Sequence, residues 1–483
     1  MGVPSVAVYS DCDRTALHVR QADEAVAIGP SPAAESYLNI DRVLAAARDT
    51  DSTAVHPGYG FLAENAAFAR ACRDAKLNFI GPDPAVIETM GGKTTARQAA
   101  IDAGVPVVPG TEALAGALSD DELRERAEKI GFPLFIKAVA GGGGRGMRRV
   151  GDRGSVVAGV EAARSEAGAA FGESTVYFER LVESARHVEV QVLGDQHGTI
   201  VPFVERECSV QRRHQKVIEE SPSVAVTPAI RIALAEAAMA LASAVNYSSA
   251  GTLEFLLDPD GCFYFLEMNT RLQVEHPVTE WVTGIDLVQW QIRIARGELL
   301  AIDRDQALNP TGHAVECRVY AEDPDAGFVP APGRITSLRG PSGPGVRDDS
   351  GVEAGFEVPV FYDSMISKVS TWARDRGEAI VRMERALREY QIGGITTVIP
   401  ALLWVLKQDA FLHGNFDTGF LDRALVERAG RSFSELTDEQ VDLAMMTAAV
   451  FTYLSATDVK HVSGEGAAAT PWQRAARLGG LRH

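Results

Sequence analysis

The sequence predicts an α/β region followed by a larger α+β region. Strands and helices alternate over the first hundred residues, whereas strands dominate between about 186 and 275, and this change of pattern separates the two classes. With 483 residues, the chain has room for about three domains of roughly 150 residues each. Its 46% of hydrophobic and 23% of charged residues are typical of a globular protein.

The first region has the order βαβαβ, which is typical of a parallel, doubly wound sheet. The predicted elements are a strand VAVYS (6–10), a helix (37–48), a strand that enters a turn, TAVHPGYG (53–60), a helix (64–76) and an extended segment LNFIG (77–81). Sheets of this type bind ligands beyond the carboxyl ends of their strands, which is where HPGYGFLAEN (56–65) is expected to lie.

The remainder of the chain alternates less regularly. From about 110 to 182 we expect a helix (119–130), a strand LFIKAVA, a glycine run, a strand, a helix (152–167) and a strand in TVYFERLV. The strands HVEVQVLGD, TIVPFVERE, TLEFLLD and CFYFLEMN follow, with one long helix (227–245) among them. After about 312, short strands precede helices at 375–390 and 396–408 and a helical tail at 436–454.

Charge and cysteine content exclude several classes of protein. The net charge of −18 argues against sequence-independent binding to nucleic acid, and no run of eighteen apolar residues could span a membrane. The five cysteines are scattered and lack CxxC spacing, which indicates reduced thiols and a cytoplasmic location rather than disulfides or a zinc site.

A run of glycines follows Lys137, in the segment Ala140–Met147. Consecutive glycines give up side-chain packing, so they indicate a need for close approach of the backbone to a ligand. Exposed amides in such a loop can bind phosphate oxygens, and Lys137 adds a positive charge. A mobile flap over nucleotide phosphates is favoured over the alternative, a flexible linker, because strands are predicted on both sides.

Paired carboxylates in GTLEFLLDPDGCFYFLEMN (251–269) predict a metal site. If the DPDG turn pairs Leu257 with Cys262, Glu254 faces Phe265, and Glu267 lies diagonally across at about 7–8 Å. Two divalent cations could bridge these carboxylates to a triphosphate, with Asn269 as a further ligand. Hard oxygen ligands favour Mg²⁺ or Mn²⁺ over zinc.

Polar residues then recur at every second position from Glu267 to Glu275. While the chain remains extended these side chains share one face. Arg271 would bind an anion there, and Glu275 is placed to act as a base. A solvated edge strand is the alternative, but it does not account for the mixture of acids, amides and a base beside a paired glutamate.

Basic residues cluster in ERECSVQRRHQKVIEE (205–220), within an otherwise acidic chain. We interpret this cluster as an anion pocket in preference to a charged surface loop. Its basic members are Arg206, Arg212, Arg213, His214 and Lys216.

Taken together, these motifs closely resemble the biotin carboxylase component of biotin-dependent carboxylases, which belong to the ATP-grasp superfamily. The most specific stretch is EMNTRLQVEHPVTE (267–280), and the resemblance covers about residues 3–425. It is supported by HPGYGFLAEN (56–65), KAVAGGGGRGM (137–147), HAVECRVYAEDP (313–324), GVRDDSG (345–351) and FYDSMISK (361–368).

The resemblance implies an ATP-grasp fold and a two-step reaction. ATP would activate bicarbonate as carboxyphosphate, and the carboxyl group would pass to N1 of a biotin held on a carrier. The implied cofactors are ATP, two Mg²⁺ or Mn²⁺ ions and carrier-bound biotin, with bicarbonate as substrate. The implied domains are an amino-terminal biotin carboxylase domain (1–90), an ATP-grasp domain (91–290) with a flap at about 110–182, a carboxyl-terminal biotin carboxylase domain (291–425) and a helical tail (426–483).

The resemblance also implies a role for individual residues. Those that would contact the nucleotide are Lys93, Lys137, Gly143, Gly144, Glu179, Arg180, Leu181, Val182, His187, Gln211 and His214. The metals would be held by Glu254, Glu267 and Asn269. Bicarbonate would be surrounded by Lys216, Arg271, Gln273 and Val274, with Glu275 as the base and Arg347 stabilising the biotin enolate.

The chain departs from the family pattern at a few places. At the hinge on the adenine side, where the family often has Glu-Lys, this chain has Glu179-Arg180. Ala140 stands at a position that is commonly glycine. A strand and a helix that usually precede VAVYS in the family are missing, and their loss should expose the sheet. The tail resembles the start of a truncated linking region. The nearest match to a biotin acceptor, Ala444–Thr447, lacks the lysine, so we expect a biotin carboxyl carrier in trans, unless the chain is a fragment of a longer one.

The expected partners are therefore that carrier, a carboxyltransferase subunit, and either a second copy of the chain or a larger complex. Acetyl-, propionyl- or methylcrotonyl-CoA carboxylation is the main hypothesis for the complex. A pyruvate or urea carboxylase component, and a truncated chain that binds nucleotide without activity, are the alternatives.

Overall fold

The computed structural model describes residues 1–114, 116, 118–139, 147–433 and 438–458. The chain divides into two compact units, Met1–Arg431 and Ser432–His483. In the second unit the structure describes a single long helix, α16, which is given below. Within the described residues, no helix combines the length and apolar character needed to cross a bilayer.

The amino-terminal region contains parallel strands, as the sequence predicts. In chain order its elements are β1 (Val6–Ser10), α1 (Leu17–Gln21), β2 (Glu24–Gly29), α2 (Ile40–Asp49), β3 (Ala54–Val55), α3 (Ala66–Asp74), β4 (Asn78–Phe79) and α4 (Pro84–Gly91). β1 pairs with β2 and β3 with β4, both in parallel, and the two pairs form separate two-stranded sheets in the described residues. β2 was not predicted, and α2 begins three residues later than predicted because Asn39 caps it.

A small antiparallel sheet follows, with strand order β6-β5-β7. The elements are α5 (Lys93–Asp102), α6 (Asp120–Ile130), β5 (Leu134–Ala138), β6 (Met147–Val150), α7 (Val156–Phe171) and β7 (Val176–Arg180). α6 begins where predicted, because Ser119 and Glu122 form a reciprocal capping box. The glycines between β5 and β6, including Gly143 and Gly144, lie outside the described residues.

The third region carries most of the polar strands. Its elements are β8 (Arg186–Gly194), β9 (Ile200–Pro202), β10 (Arg206–Arg212), β11 (Gln215–Ser221), α8 (Pro228–Ala244), β12 (Ser249–Leu257), β13 (Phe263–Asn269), α9 (His276–Thr283), α10 (Leu287–Ala295) and α11 (Arg304–Leu308). Leu241, Leu253 and Phe255 are fully buried in a core between α8 and these strands.

The last region continues the sheet and closes it with helices. Its elements are β14 (His313–Tyr320), β15 (Glu322–Asp323), β16 (Val329–Pro330), β17 (Gly333–Arg334), β18 (Ser337–Arg339), β19 (Val346–Ser350), β20 (Glu357–Val358), β21 (Met365–Ala373), α12 (Arg376–Glu389), β22 (Gln391–Gly393), α13 (Ile399–Val405), α14 (Asp409–Leu412) and α15 (Phe420–Arg428). The helix of the second unit is α16 (Asp438–Asp458).

A large antiparallel sheet joins these two regions, in the order β13-β12-β8-β10-β11-β14-β21-β19, with β9 beside β8. It brings strands that are far apart in sequence side by side, since β11 pairs with β14 and β14 pairs with β21. Buried polar side chains project from neighbouring strands of this sheet, and these form the candidate site.

Three details of the predicted site segment are wrong. Glu254 pairs directly with Glu267 rather than diagonally, because the hairpin pairs Leu257 with Phe263 instead of Cys262 and a bulge next to Phe255 shifts the register by one more residue. The chain is extended only to Asn269, so the alternating face does not reach Glu275, which immediately precedes α9. Segment 205–220 is the hairpin β10–β11 rather than a loop, turning at Arg213 and His214, both with positive φ.

Candidate active site

Lys216 lies at the centre of a buried cluster of carboxylates. Its Nζ is 2.5 Å from Glu189 Oε2, 2.6 Å from Glu275 Oε1 and 2.9 Å from Glu254 Oε1. These partners come from β8, from the residue before α9 and from β12. Burial alone would lower the pKa of Lys216, but the three negative charges raise it well above its ordinary value. The ammonium group is therefore charged and bridges three segments of the site.

Glu275 has a second cationic partner in Arg318 of β14. Arg318 NH2 lies 3.0 Å from Glu275 Oε2, so each carboxylate oxygen of Glu275 faces one cation. Burial by itself would raise the pKa of Glu275, but Lys216 and Arg318 hold it well below the ordinary range. Glu275 is thus fully buried and ionised.

Arg206 is fully buried behind the cluster and does not face a ligand pocket. It contacts Glu189 at 2.5 Å, Gln191 at 3.0 Å and the hydroxyls of Thr252 and Thr279 at 3.0 and 2.9 Å. The single anion pocket predicted over 205–220 is therefore wrong.

The other basic residues of that segment point elsewhere. Arg212 pairs with Glu322 at 3.0 Å, and Arg213 and His214 are exposed at the hairpin turn. Of the five basic residues, Arg206 and Lys216 contact carboxylates of the buried cluster. The structure does not bring His214 to these carboxylates.

Glu254, Glu267 and Asn269 lie together at the other side of the cluster. Asn269 Nδ2 donates to Glu254 Oε1 at 2.9 Å, and Glu254 is opposite Glu267 in the ladder. Among the described residues, no hydrogen-bond or ion-pair partner contacts the carboxylate of Glu267. Glu267 is exposed as a whole residue, but the surrounding protein partly desolvates its carboxyl group. This desolvation, and then the charge of Glu254, raise the pKa of Glu267.

This donor set fits a divalent cation. Two adjacent carboxylates repel each other, and a hard cation between them would relieve the repulsion and use the unpartnered oxygens of Glu267. The predicted register places the two side chains further apart than the structure does, so the observed pairing suits metal binding better than the predicted one.

His187 and Gln211 adjoin the metal candidates on the buried side. His187 Nε2 is 3.1 Å from Glu254 Oε2 without hydrogen-bond alignment, and its Nδ1 is 3.1 Å from Gln211 Nε2. Burial would lower the pKa of His187, but the charge of Glu254 raises it. Gln211 also donates to the carbonyl of Cys208 at 2.8 Å.

The predicted nucleotide residues lie on α5, β5 and β7. Lys137 forms an ion pair with Glu179, and Lys93 stands at the first position of α5. Burial and then the positive charge of Lys137 lower the pKa of Lys93. Lys93 and Lys137 thus supply two cations, one of them paired with Glu179, to which phosphate groups could bind.

The segment after β7 is held by its backbone. The Arg180 amide donates to Pro109 O at 2.8 Å, and the Leu181 amide donates to Pro133 O at 3.0 Å. Arg180 is exposed, whereas Leu181 and Val182 are half-buried. Substitution of the common lysine by Arg180 therefore leaves these backbone contacts intact.

Arg271 is anchored by Glu64, a residue of the HPGYGFLAEN motif. Glu64 accepts from Arg271 Nε at 2.7 Å and from the Thr270 amide at 3.0 Å. Gln273 is buried, and no described residue accepts a hydrogen bond from its Nε2. The carbonyl of Val274 accepts from Lys368 Nζ at 2.6 Å, so Lys368 fixes the backbone next to Glu275.

Arg347 lies on β19 between two carboxylates. Its NH1 is 2.6 Å from Glu280 Oε2, and its Nε is 2.8 Å from Asp349 Oδ1. Lys368 is 3.6 Å from Asp349, which connects Arg347 to the Val274 side of the cluster. About a third of the Arg347 side chain remains open to solvent, with 35% exposed.

Several residues of the site were missed by sequence reasoning. Most are buried charged side chains on strands that also carry apolar residues, and that pattern was the available signal: Glu189, Glu219, Glu316, Arg318 and Lys368. Glu64, in the turn before α3, was missed as well. In a strand buried on both faces, a charged residue requires a partner on a neighbouring strand.

Comparisons with known proteins agree with this architecture. The chain matches the family models "Biotin carboxylase, N-terminal domain" over residues 1–87, "Carbamoyl-phosphate synthase L chain, ATP binding domain" over 92–303 and "Biotin carboxylase C-terminal domain" over 316–423. It is 52% identical over 421 residues to a biotin carboxylase of Nostoc sp., covering 87% of this chain and 94% of that protein.

Two further relatives extend the comparison. The chain is 47% identical over 467 residues to a pyruvate carboxylase subunit of Methanothermobacter thermautotrophicus, covering 94% of each protein. A solved biotin carboxylase domain dimer of Hydrogenobacter thermophilus 2-oxoglutarate carboxylase, in complex with MgADP, ADP and bicarbonate, superposes with a TM-score of 0.83. It is 42% identical and covers 90% of this chain and 94% of that one. The predicted fold is confirmed, and the chain belongs to the biotin carboxylase family of ATP-dependent ligases.

Proposed function

We propose that this chain carboxylates biotin on a carrier protein, using ATP and bicarbonate. The observation that carries the proposal is Glu275, a buried carboxylate held ionised between Lys216 and Arg318. A proton acceptor enclosed by cations suits an anionic substrate such as bicarbonate, because the cations offset the charge that accumulates when the proton is removed.

The nucleotide is expected to bind between α5 and the small sheet. Lys93 and Lys137 would contact the phosphates, together with the backbone of Gly143 and Gly144 in the flap. The adenine side would be lined by Glu179, Arg180, Leu181 and Val182, with His187, Gln211 and His214 completing the site by resemblance to the family. His214 carries the weakest support, since it is exposed at the turn between β10 and β11.

Glu254, Glu267 and Asn269 would hold the Mg²⁺ or Mn²⁺ ions. Bound there, the ions would neutralise the triphosphate and orient it for in-line transfer. His187 and Lys216 lie against Glu254 on its buried side and partly neutralise its charge. Glu267 is therefore the less neutralised of the two carboxylate ligands.

Bicarbonate would lie beside Arg271, Gln273 and the backbone of Val274, within reach of Glu275. Glu275 would take the bicarbonate proton as the substrate oxygen attacks the γ-phosphorus of ATP, which gives carboxyphosphate and ADP. Lys216 and Arg271 would stabilise the charge that develops.

N1 of biotin would then lose its proton and take up the carboxyl group as phosphate leaves carboxyphosphate, with Arg347 stabilising the negative charge of the biotin enolate. Glu280 and Asp349 fix the guanidinium of Arg347, while its exposed fraction leaves room for a ligand. Prior anchoring of an arginine reduces the conformational entropy lost when the ligand binds.

The expected partners are a biotin carboxyl carrier and a carboxyltransferase, and a dimer of the chain or a larger complex. Acetyl-, propionyl- or methylcrotonyl-CoA is the preferred class of final acceptor. A pyruvate carboxylase is the second candidate, favoured by the similarity to the Methanothermobacter pyruvate carboxylase component over 94% of the chain.

The proposed function is tested by ATP hydrolysis with and without bicarbonate. Purified protein supplied with Mg²⁺ should hydrolyse ATP only when bicarbonate is present, and free biotin should stimulate the rate. A folded sample that binds ATP but shows no such hydrolysis would refute the enzymatic proposal in favour of a nucleotide-binding chain without activity.

Replacing Glu267 by glutamine should weaken Mn²⁺ binding in the presence of ADP by at least about ten-fold, because an amide offers one neutral oxygen where the carboxylate offers two charged ones. Electron paramagnetic resonance of free Mn²⁺ measures this effect. The control is Asp260→Asn, which removes an exposed carboxylate from the turn of the same hairpin. Equal Mn²⁺ affinity in both variants would contradict the metal site.

Replacing Glu64 by glutamine should raise the KM for bicarbonate about five-fold, the effect of weakening one charged hydrogen bond to Arg271. The KM for ATP should stay unchanged, since Glu64 contacts Thr270 and Arg271 alone among the proposed site segments. Steady-state kinetics with each substrate varied in turn separates the two. Glu88→Gln, which breaks an exposed pair with Arg70, is the control. A rise in both KM values would indicate a general structural defect instead.

A further inference from the structure

Glu316 is an unusual residue of the large sheet. It lies on β14, is fully buried, and neither of its carboxylate oxygens receives a hydrogen bond from a described residue. On one side it pairs with Glu219 of β11, and on the other with Ser370 of β21. A buried carboxyl group without donors is unfavourable when it is ionised.

Glu219, directly across from Glu316, links it to the proposed base. Glu219 Oε1 is 2.6 Å from Arg318 Nε, and Arg318 NH2 is 3.0 Å from Glu275 Oε2. No described residue donates to the second oxygen of Glu219. Within the described part of the chain, two opposed glutamates therefore have three oxygens without a donor, next to the arginine that holds Glu275.

Two ionised carboxylates could not remain in this position at little cost. Directly paired residues on neighbouring strands have Cβ atoms about 4.5–5.5 Å apart, so the two carboxyl groups can share a proton. Burial raises the pKa of Glu219 to about 7 and raises that of Glu316 well above its ordinary value.

The groups around the pair do not supply the missing donors. Lys368 Nζ is engaged by the carbonyl of Val274 and by Asp349. The ionisable groups that act on the two glutamates or on their neighbours come from β11, β14, β21, the residue before α9 and the HPGYG loop: Lys216, Cys317, Arg318, Lys368, Glu275 and Tyr59.

We propose that Glu316 carries a proton at neutral pH and, with Glu219, forms a carboxylic acid–carboxylate pair that positions Arg318 against Glu275. With this proton in place, Arg318 is shared by Glu219 and Glu275. Loss of the proton would add a third anion beside Arg318 and draw it away from Glu275. Glu219 and Glu316 are thus positioning residues. The effect of Glu219 and Glu316 on catalysis rests on the proposed function of Glu275. The proton that they share does not depend on that function.

The proton on Glu316 is tested without any assay of activity. The infrared spectrum at pH 7.5 should contain the carbonyl stretch of a buried carboxylic acid, and this band should be lost in Glu316→Gln. The matched control is Glu220→Gln, the next residue after Glu219, whose buried carboxylate is paired with His313 and Arg376 and should be ionised. An unchanged band in Glu316→Gln would overturn the proposal.

Stability provides a second measurement. A carboxyl group whose pKa is higher in the folded than in the unfolded protein favours folding at low pH, and this contribution is lost as the pH rises above its ordinary value. The melting temperature of the wild type should therefore fall more between pH 5 and pH 8 than that of Glu316→Gln. If Glu316→Gln does not fold, the infrared band of the wild type alone decides, and its absence at pH 7.5 would refute the shared proton.

The positioning role is tested by the pH profile of kcat for biotin-dependent ATP hydrolysis. Glu316→Gln mimics the protonated acid but cannot lose a proton, so its activity should extend to higher pH than that of the wild type. An alkaline limb at the same pH in both proteins would overturn the positioning role. A wild type that shows the infrared band but no bicarbonate-dependent hydrolysis would instead refute the proposed function and leave the shared proton standing.

Discussion

Replacing Glu275 by glutamine should abolish turnover while ATP binding persists. Glutamine has nearly the same size, but its amide cannot accept the bicarbonate proton, and loss of a general base costs about 10²–10⁴-fold. Lys216 and Arg318 would also lose the negative charge that each faces at 2.6 and 3.0 Å. We therefore expect kcat to fall toward the upper end of that range.

The measurement combines two assays on the same preparation. Bicarbonate-dependent ATP hydrolysis reports turnover, and calorimetry reports ATP affinity, which should change by less than about three-fold because Lys93 and Lys137 remain in place. The control Glu205→Gln removes another buried carboxylate, which pairs with Arg231 at 2.7 Å outside the proposed site. Loss of ATP binding in Glu275→Gln with normal melting, or retention of more than a tenth of the activity, would contradict the role of Glu275.

The acidic side of the pH profile gives a related expectation. Because its two cations hold the pKa of Glu275 well below the ordinary range, Glu275 remains ionised throughout the neutral region. Turnover should therefore not decline between pH 8 and pH 6 through protonation of this residue, and a decline there would have to come from another group.

The local elements were predictable because their signals are local. Ser119 with Glu122 marks the start of α6, Thr227 caps α8, and Asp375 caps α12, each within one residue of the predicted boundary. The residues of EMNTRLQVEH were recognised as chemically important from their types alone. The structure brings Glu254 and Glu275 to Lys216, and it places Glu267 opposite Glu254.

What could not be predicted depends on pairing between distant strands. A bulge next to Phe255 changes which residue faces Glu254, and no residue of the DPDG turn predicts this bulge. The turn at Arg213 and His214 lacks the glycine or asparagine that usually marks a two-residue hairpin, so the sequence suggested a loop. The contact of Arg318 with Glu219 crosses 99 positions of sequence, and only the order of the strands creates it.

Alternating charge is the physical basis of this site. From Arg206 the contacts run through Glu189, Lys216 and Glu275 to Arg318, so that each acid lies between two bases. Burial makes every one of these charges dependent on its neighbours, because an unpaired charge in a dry interior is far more costly than one at the surface. The network should therefore respond to the loss of one member more strongly than a surface ion pair does.

Replacing Lys216 by methionine should cause the largest combined loss of activity and stability. Methionine fills similar space without a charge and leaves Glu189, Glu254 and Glu275 facing one another. Removing one partner from a buried charge network typically costs about 3–5 kcal/mol, so the free energy of unfolding near neutral pH should fall by that amount. The matched control Lys407→Met removes an exposed lysine 3.5 Å from Glu384, and an exposed pair contributes about 1 kcal/mol or less.

The deficit of Lys216→Met should shrink on acidification. In the wild type, Lys216 helps to hold the pKa values of Glu254 and Glu275 below their ordinary 4.5, so these carboxylates favour folding above that pH. Without the lysine, Arg318 and His187 remain beside Glu275 and Glu254, and we expect burial to outweigh them and to raise both pKa values in the folded protein. Folding of the variant then becomes less favourable as the pH rises above 4.5. Urea denaturation at pH 5 and pH 8 should therefore show a smaller difference from the wild type at pH 5. An equal difference at both pH values would mean that Glu254 and Glu275 do not depend on Lys216 for their ionised state.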